Sequence, residues 1–214
     1  MMSYCFVFLF FFCNGNKKQL YPKYTKTRRN MINHKYKYIY TKVAKAGSTS
    51  IQKMLKKTSD EKDLTHLGHW HLADDIDEDT KDYFKFTFVR NPWDRAVSYY
   101  HYKKKKEKQN NKISYFTKFT FEQFLLEPHR FIKEYNWAKN SPHLEKLIKE
   151  VHWYDNQIDW LVNDKGVPLV DYVGKLENLD KEFPIICDRL GIPNVKIMHK
   201  NKSNHDVYTK YYTS

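Results

Sequence analysis

The chain has 214 residues, 41% of them hydrophobic and 17% aromatic, enough to build the core of one α/β domain and too apolar for a chain that stays disordered. Its 38 Lys and Arg against 25 Asp and Glu give a formal charge of +13, which calls for anionic partners: nucleic acid, a membrane surface, an acidic glycan or a multiply charged nucleotide. Three cysteines, Cys5, Cys13 and Cys187, have no partners at metal-ligand spacing, which argues against a zinc site and against a disulfide framework.

The apolar run from Tyr4 to Cys13 is far shorter than the ~20 residues that span a bilayer. It reads as a short signal core, as a weak membrane anchor or as a dispensable extension. No basic residue precedes it, and Lys17 and Lys18 lie on the wrong side for a segment that translocates its C-terminus. Residues 14 to 34 are polar and basic and read as a linker, so residues 1–34 form an N-terminal segment and residues 35–214 the folded domain.

Alternation from Tyr36 to Thr41 predicts a strand, and the residues from Thr49 to Lys57 predict a helix. Between them stands Val43-Ala-Lys-Ala-Gly-Ser-Thr-Ser50, a loop of small residues entering a helix. A helix N-terminus carries unpaired N–H groups and about half a positive charge, so a phosphate or sulfate can approach such a loop closely. Lys45 adds a full charge, and Ser48, Thr49 and Ser50 add hydroxyl donors. Taken alone, the loop reads first as an ordinary turn with a Ser or Thr cap.

His66, His69 and His71 fall within Thr65-His-Leu-Gly-His-Trp-His-Leu72. An imidazole with its usual pKa of about 6.5 suits a general base, but three close histidines also describe a surface cluster. No carboxylate or thiol pattern completes a metal site around them.

Phe84, Phe86 and Phe88 alternate as a strand that Asn91-Pro92 interrupts, and a helix follows from Trp93 to about Lys106. Arg90 leaves the strand end as a forked donor and Ser98 lies about a turn and a half into the helix, so the pair suits one anion where the strands of an open sheet end. The run from Lys103 to Lys112 reads first as a solvated helix end. Further helices are predicted over Phe121 to Glu127, capped by Thr120, and over Pro142 to His152, capped by Ser141. Strands over Ile158 to Val162 and Leu169 to Val173 flank the turn Asn163-Asp-Lys-Gly166, and a helix from Asp180 to Leu190 closes on Gly191 with Cys187 as a buried thiol. Strands alternating with helices predict an α/β fold with a mostly parallel sheet.

Two motifs at this spacing resemble those of sulfotransferases that use 3′-phosphoadenosine 5′-phosphosulfate. Within them the chain is most similar to the membrane-associated carbohydrate type, which includes heparan sulfate 2-O-sulfotransferases and microbial relatives. Lys45-Ala-Gly-Ser-Thr-Ser50 is similar to the family's 5′-phosphosulfate loop, and Phe88-Val-Arg-Asn-Pro-Trp-Asp-Arg-Ala-Val-Ser98 to its 3′-phosphate motif. Tyr172-Val-Gly-Lys-Leu-Glu-Asn-Leu179 and His199-Lys-Asn-Lys-Ser203, followed by Tyr208, Tyr211 and Tyr212, extend the resemblance from Tyr36 to the C-terminus. The chain departs from the pattern at Ala44, where the family usually has Pro, and relatives commonly continue with a C-terminal helix beyond the position of Ser214.

The resemblance implies a P-loop-like three-layer α/β fold, with a central mostly parallel sheet flanked by helices. It further implies the phosphosulfate donor as co-substrate, no metal, and transfer to an acceptor hydroxyl, most naturally of a carbohydrate. By the same resemblance Lys45, Ala46, Gly47, Ser48, Thr49 and Ser50 hold the 5′-phosphosulfate, with Lys45 also stabilising the leaving group. Arg90 and Ser98 anchor the 3′-phosphate, Lys202 and Ser203 close over the nucleotide, and His69, in a Gly-His context, is the base, with His66 and His71 as alternatives. Glu177 supports these loops or pairs with a nearby lysine, and Arg95 is structural. A P-loop kinase is disfavoured because Lys45 precedes the loop glycine. A catalytically inactive basic module that binds sulfated glycan or nucleic acid remains the reading from another class.

Overall fold

The computed structural model describes residues 30–66, 72, 76–109, 115–126, 156–193, 195–197 and 205–212. Among these residues five strands form one sheet: β1 (Met31–Asn33), β2 (Tyr38–Thr41), β3 (Leu64–His66), β4 (Phe84–Val89) and β5 (Tyr172–Lys175), in the order β3-β1-β2-β4-β5. β2, β4 and β5 are parallel, and β1 runs antiparallel to both β2 and β3. Among the described residues five α-helices accompany them: α1 (Ser48–Lys56), α2 (Pro92–Gln109), α3 (Tyr115–Lys118), α4 (Phe121–Leu126) and α5 (Leu179–Leu190). This is the mixed α/β arrangement that the sequence predicts, a sheet with a parallel centre flanked by helices.

Strand alternation sorts the core. Met31, Tyr38, Tyr40, Phe86 and Phe88 pack with Ile51, Met54 and Leu55 of α1 and Phe183, Ile186 and Cys187 of α5. Ile32, Ile39 and Leu72 pack on the opposite face. Truncating one of the fully buried rings, as in Phe86→Ala, costs about 3–5 kcal/mol at such a site. Gly174 permits part of this packing, because a Cβ there would lie 2.6 Å from the Phe88 ring.

Several element boundaries differ from the sequence expectations. Met31–Asn33, within the expected linker, is a strand, so the sheet begins before residue 35; Asn30 and Asn33 fasten it by accepting from Lys42 N at 3.0 Å and Tyr36 N at 2.8 Å. β2 begins at Tyr38 because residues 34–37 form the turn joining it to β1. The expected strand Ile158 to Val162 is instead a 3-10 turn over Gln157–Trp160. There Trp160 and Leu161 are both buried while Ile158 is exposed, so the apolar side chains do not alternate as a strand requires. The neighbouring strand begins at Tyr172 rather than Leu169, where Asp171 takes Lys85 N on its carboxylate and donates its own N–H to Lys85 O, each at 2.7 Å.

Other local signals hold. Thr120 and Gln123 exchange reciprocal bonds, Gln123 N to Thr120 Oγ1 at 3.2 Å and Thr120 N to Gln123 Oε1 at 2.9 Å, which caps α4. Gly166 N donates to Asn163 O at 2.9 Å to close the predicted turn, and left-handed Gly191 ends α5. The expected helix from Pro142 to His152 lies outside the described residues. Among the described residues no helix is long and apolar enough to cross a membrane.

Candidate active site

The parallel strands β2 and β4 both point their C-terminal ends at one place, and there the two predicted motifs meet. After β2 the chain passes through a turn in which Lys45 (φ 66) and Gly47 (φ 71) are left-handed, and α1 starts at Ser48. Gly47 is the N-cap and no side chain satisfies the helix end, so the first-turn N–H groups of α1 lack a side-chain cap. A left-handed residue followed by a helical one turns consecutive N–H groups toward a common point, a geometry suited to an anion. Ala46 is fully buried, Ser48 and Ser50 nearly so, and Thr49 is exposed. Any side chain at Gly47 would both force an unfavourable φ and meet the Leu176 side chain, which packs on this turn.

Arg90, at the end of β4, reaches back to the turn. Its Nη1 donates to Lys45 O at 3.3 Å, while Nε and Nη2 donate to Asp94 Oδ2 at 2.8 and 2.7 Å. The Arg90 main chain is held in turn by Gln157, through Arg90 N to Oε1 at 2.9 Å and Nε2 to Arg90 O at 2.7 Å. One turn further into α2, buried Arg95 donates its Nε to Ala44 O at 3.0 Å and lies 5.6 Å from the Trp160 ring. Ser98 is 4% exposed on the same helix. Arg90 and Arg95 thus tie two consecutive carbonyls of the loop to α2.

Lys45 extends its ammonium to the ring of Tyr102, 4.0 Å from the centroid. Burial lowers its pKa to about 8, and the positive charges of Arg90, Lys103 and Lys106 push the same way. Four cations converging with Asp94 as the carboxylate bound to Arg90 make a locus that favours an anion.

Among the described residues Glu177 is held by the main chain of Asn91. Its Oε1 accepts Asn91 N at 2.7 Å, joining the Leu176–Asn178 turn after β5 to the start of α2. The C-terminal aromatic segment closes on the same place, with Asn91 Nδ2 donating to the Tyr208 hydroxyl at 3.4 Å and the Tyr212 hydroxyl donating to Trp93 O at 3.0 Å. His66 ends β3 at this same end of the sheet, in register with Met31, itself opposite Tyr40, and its Nε2 lies 3.9 Å from Glu61 Oε1. His69, His71, Lys202 and Ser203 lie outside the described residues.

Sequence reasoning missed Gln157, Asp94 and Tyr102. Asp94 carried a signal, since its spacing from Arg90 is that of one helical turn; Gln157 and Tyr102 carried none that distinguishes them from neighbouring polar and aromatic residues. A cavity of about 380 Å3 lies elsewhere, at the start of β4, lined by Lys81, Tyr83, Lys85, Asp171 and Arg189. There Lys85 Nζ is already bonded to the carbonyls of Lys81 and Tyr83, and Arg189 rests over the Phe84 ring. Among the described residues no cluster of three or more His, Cys, Asp or Glu could hold a metal ion.

An uncharacterized protein of Archaeoglobus fulgidus is 27% identical over 128 residues, covering 60% of this chain and 84% of its own length. No solved structure matches the chain at a significant level. The family model described as "Sulfotransferase family" matches residues 28–214, from just before β1 to the last residue, and the chain belongs to that family.

Proposed function

We propose that the protein transfers a sulfuryl group from 3′-phosphoadenosine 5′-phosphosulfate to an acceptor hydroxyl, most naturally on a carbohydrate. The observation that carries this reading is the contact between Arg90 Nη1 and Lys45 O, which brings the two anion-binding motifs together at the C-terminal ends of β2 and β4. The residues present suit a donor with two anionic ends: an uncapped helix start and Lys45 for the phosphosulfate, Arg90 and Ser98 for the 3′-phosphate.

In this reading the N–H groups of Gly47, Ser48 and Thr49 hold the 5′-phosphate and the hydroxyls of Ser48 and Ser50 add donors. Lys45 offsets the negative charge that builds on the leaving oxygen, an interaction stronger in the transition state than in the bound substrate. Arg90, held by Asp94 and Gln157, supplies its remaining donors to the 3′-phosphate; Lys202 and Ser203 close over the nucleotide. His69 removes the acceptor proton, with His66 and His71 as the neighbours able to replace it. No residue role here requires a metal.

The test is incubation of the full chain with a sulfur-labelled donor and a panel of glycans, peptides and small hydroxyl compounds. Label should appear in an acceptor, and Lys45→Ala should lower the transfer rate more than the donor affinity. Binding of the nucleotide with no transfer to any acceptor would favour an inactive binding module; absence of both would overturn the reading.

A further inference from the structure

Tyr102 stands apart from the two tyrosines that precede it on α2. Tyr99 and Tyr100 are buried in a cluster with Phe116, Phe121 and Phe124, but Tyr102 is half-buried and outside it. Among the described residues its ring meets two ammonium groups: Lys45 Nζ at 4.0 Å from the centroid and Lys106 Nζ at 5.1 Å. The face of a phenol ring is electron-rich and attracts a cation at this range, with a weaker hold than a carboxylate would have.

Lys45 needs such a hold more than an ordinary lysine does. Its backbone is left-handed, a conformation uncommon for a residue with a Cβ, and its carbonyl is fixed by Arg90. The stem is therefore anchored at one end, while the ammonium faces repulsion from Arg90, Lys103 and Lys106. A carboxylate partner would hold the ammonium against that repulsion but would also cancel the charge an anionic substrate requires. A π face holds it without adding a formal charge.

We propose that Tyr102 is a positioning residue, whose ring fixes the Lys45 ammonium beside the loop and leaves its charge available to the donor. This rests on the sulfotransferase reading for the role of Lys45, while the contact itself can be tested without it. Lys106 shares the same ring at the longer distance.

The test uses the full chain with Tyr102→Phe and Tyr102→Leu, the first keeping a π face and the second keeping bulk without one. Trace acetylation across neutral to alkaline pH, read on the Lys45 peptide by mass spectrometry, reports its titration. The π face favours the charged ammonium while Leu keeps the bulk that buries it, so loss of the ring in Tyr102→Leu moves the titration further down, away from ordinary lysines. Tyr102→Phe titrates as wild type. Affinity for 3′-phosphoadenosine 5′-phosphate should fall roughly 3- to 30-fold in Tyr102→Leu and by much less in Tyr102→Phe.

An unchanged Lys45 titration in Tyr102→Leu overturns the positioning role, and if Lys45→Ala still weakens nucleotide binding the sulfotransferase reading stands without it. A shifted titration with unchanged nucleotide affinity in both Tyr102→Leu and Lys45→Ala overturns Lys45 as a donor ligand, and the positioning role with it. Circular dichroism and the urea midpoint of Tyr102→Leu should match wild type, since Tyr102 lies outside the buried cluster; a collapsed fold would place Tyr102 in the core and overturn the proposal.

Discussion

Gln157 holds both polar groups of the Arg90 main chain, accepting Arg90 N on Oε1 at 2.9 Å and donating Nε2 to Arg90 O at 2.7 Å. It does for the end of β4 what a neighbouring strand would do, because β5 pairs with β4 only as far as Val89. Gln157→Leu leaves an amide and a carbonyl without these partners, at a cost of about 1–3 kcal/mol. The urea midpoint should fall, and affinity for 3′-phosphoadenosine 5′-phosphate should fall more than affinity for adenosine monophosphate. Equal losses for both ligands would mean that Gln157 supports the fold without orienting Arg90.

The 3′-phosphate assignment makes a second expectation. At 100 times its dissociation constant 3′-phosphoadenosine 5′-phosphate should stabilise the protein by about 2.7 kcal/mol, whereas adenosine monophosphate at the same concentration should do much less. Arg90→Ala should erase that preference. Thermal shifts of equal size for the two nucleotides in the wild type would remove Arg90 and Ser98 from the site.

Lys45 sets a pH window. Its pKa is lowered from the ordinary 10.5 to about 8, so over that interval the free native protein holds fewer protons than the unfolded chain, and its contribution makes stability rise with pH. An anionic ligand favours the charged form and raises the pKa again. Nucleotide binding in this window should therefore take up protons and weaken as the pH climbs, measured by calorimetry in buffers of different ionisation enthalpy. In Lys45→Met the proton uptake should vanish.

His69→Ala should bind 3′-phosphoadenosine 5′-phosphate nearly as well as wild type while transfer falls by roughly 10² to 10⁴. His66→Ala and His71→Ala should lose less. A dead His66 variant beside an active His69 variant would move the base to the histidine that ends β3.

The parts of this protein that were legible in the chain are the local ones. The strand pattern of Phe84, Phe86 and Phe88, the small-residue turn before Ser48, the Thr120 cap and the Gly191 stop are each decided by periodicity or backbone freedom within a few residues, so they read correctly before any folding is considered. Met31–Asn33 did not, because three residues carry too short a pattern and the strand exists only through its pairing with β2 and β3. Gln157–Trp160 did not either, since burial of Trp160 and Leu161 against Val43 and Ala46 overrides any local strand preference. The motifs identified Lys45 and Arg90 as charges in search of an anion, but their meeting required β2 and β4 to be parallel neighbours. Tyr102 on Lys45, Asp94 and Gln157 on Arg90, and Glu177 on Asn91 follow from that neighbourhood. Most of these are contacts across about 45 to 90 residues of chain, where packing and burial decide the partner and local pattern does not.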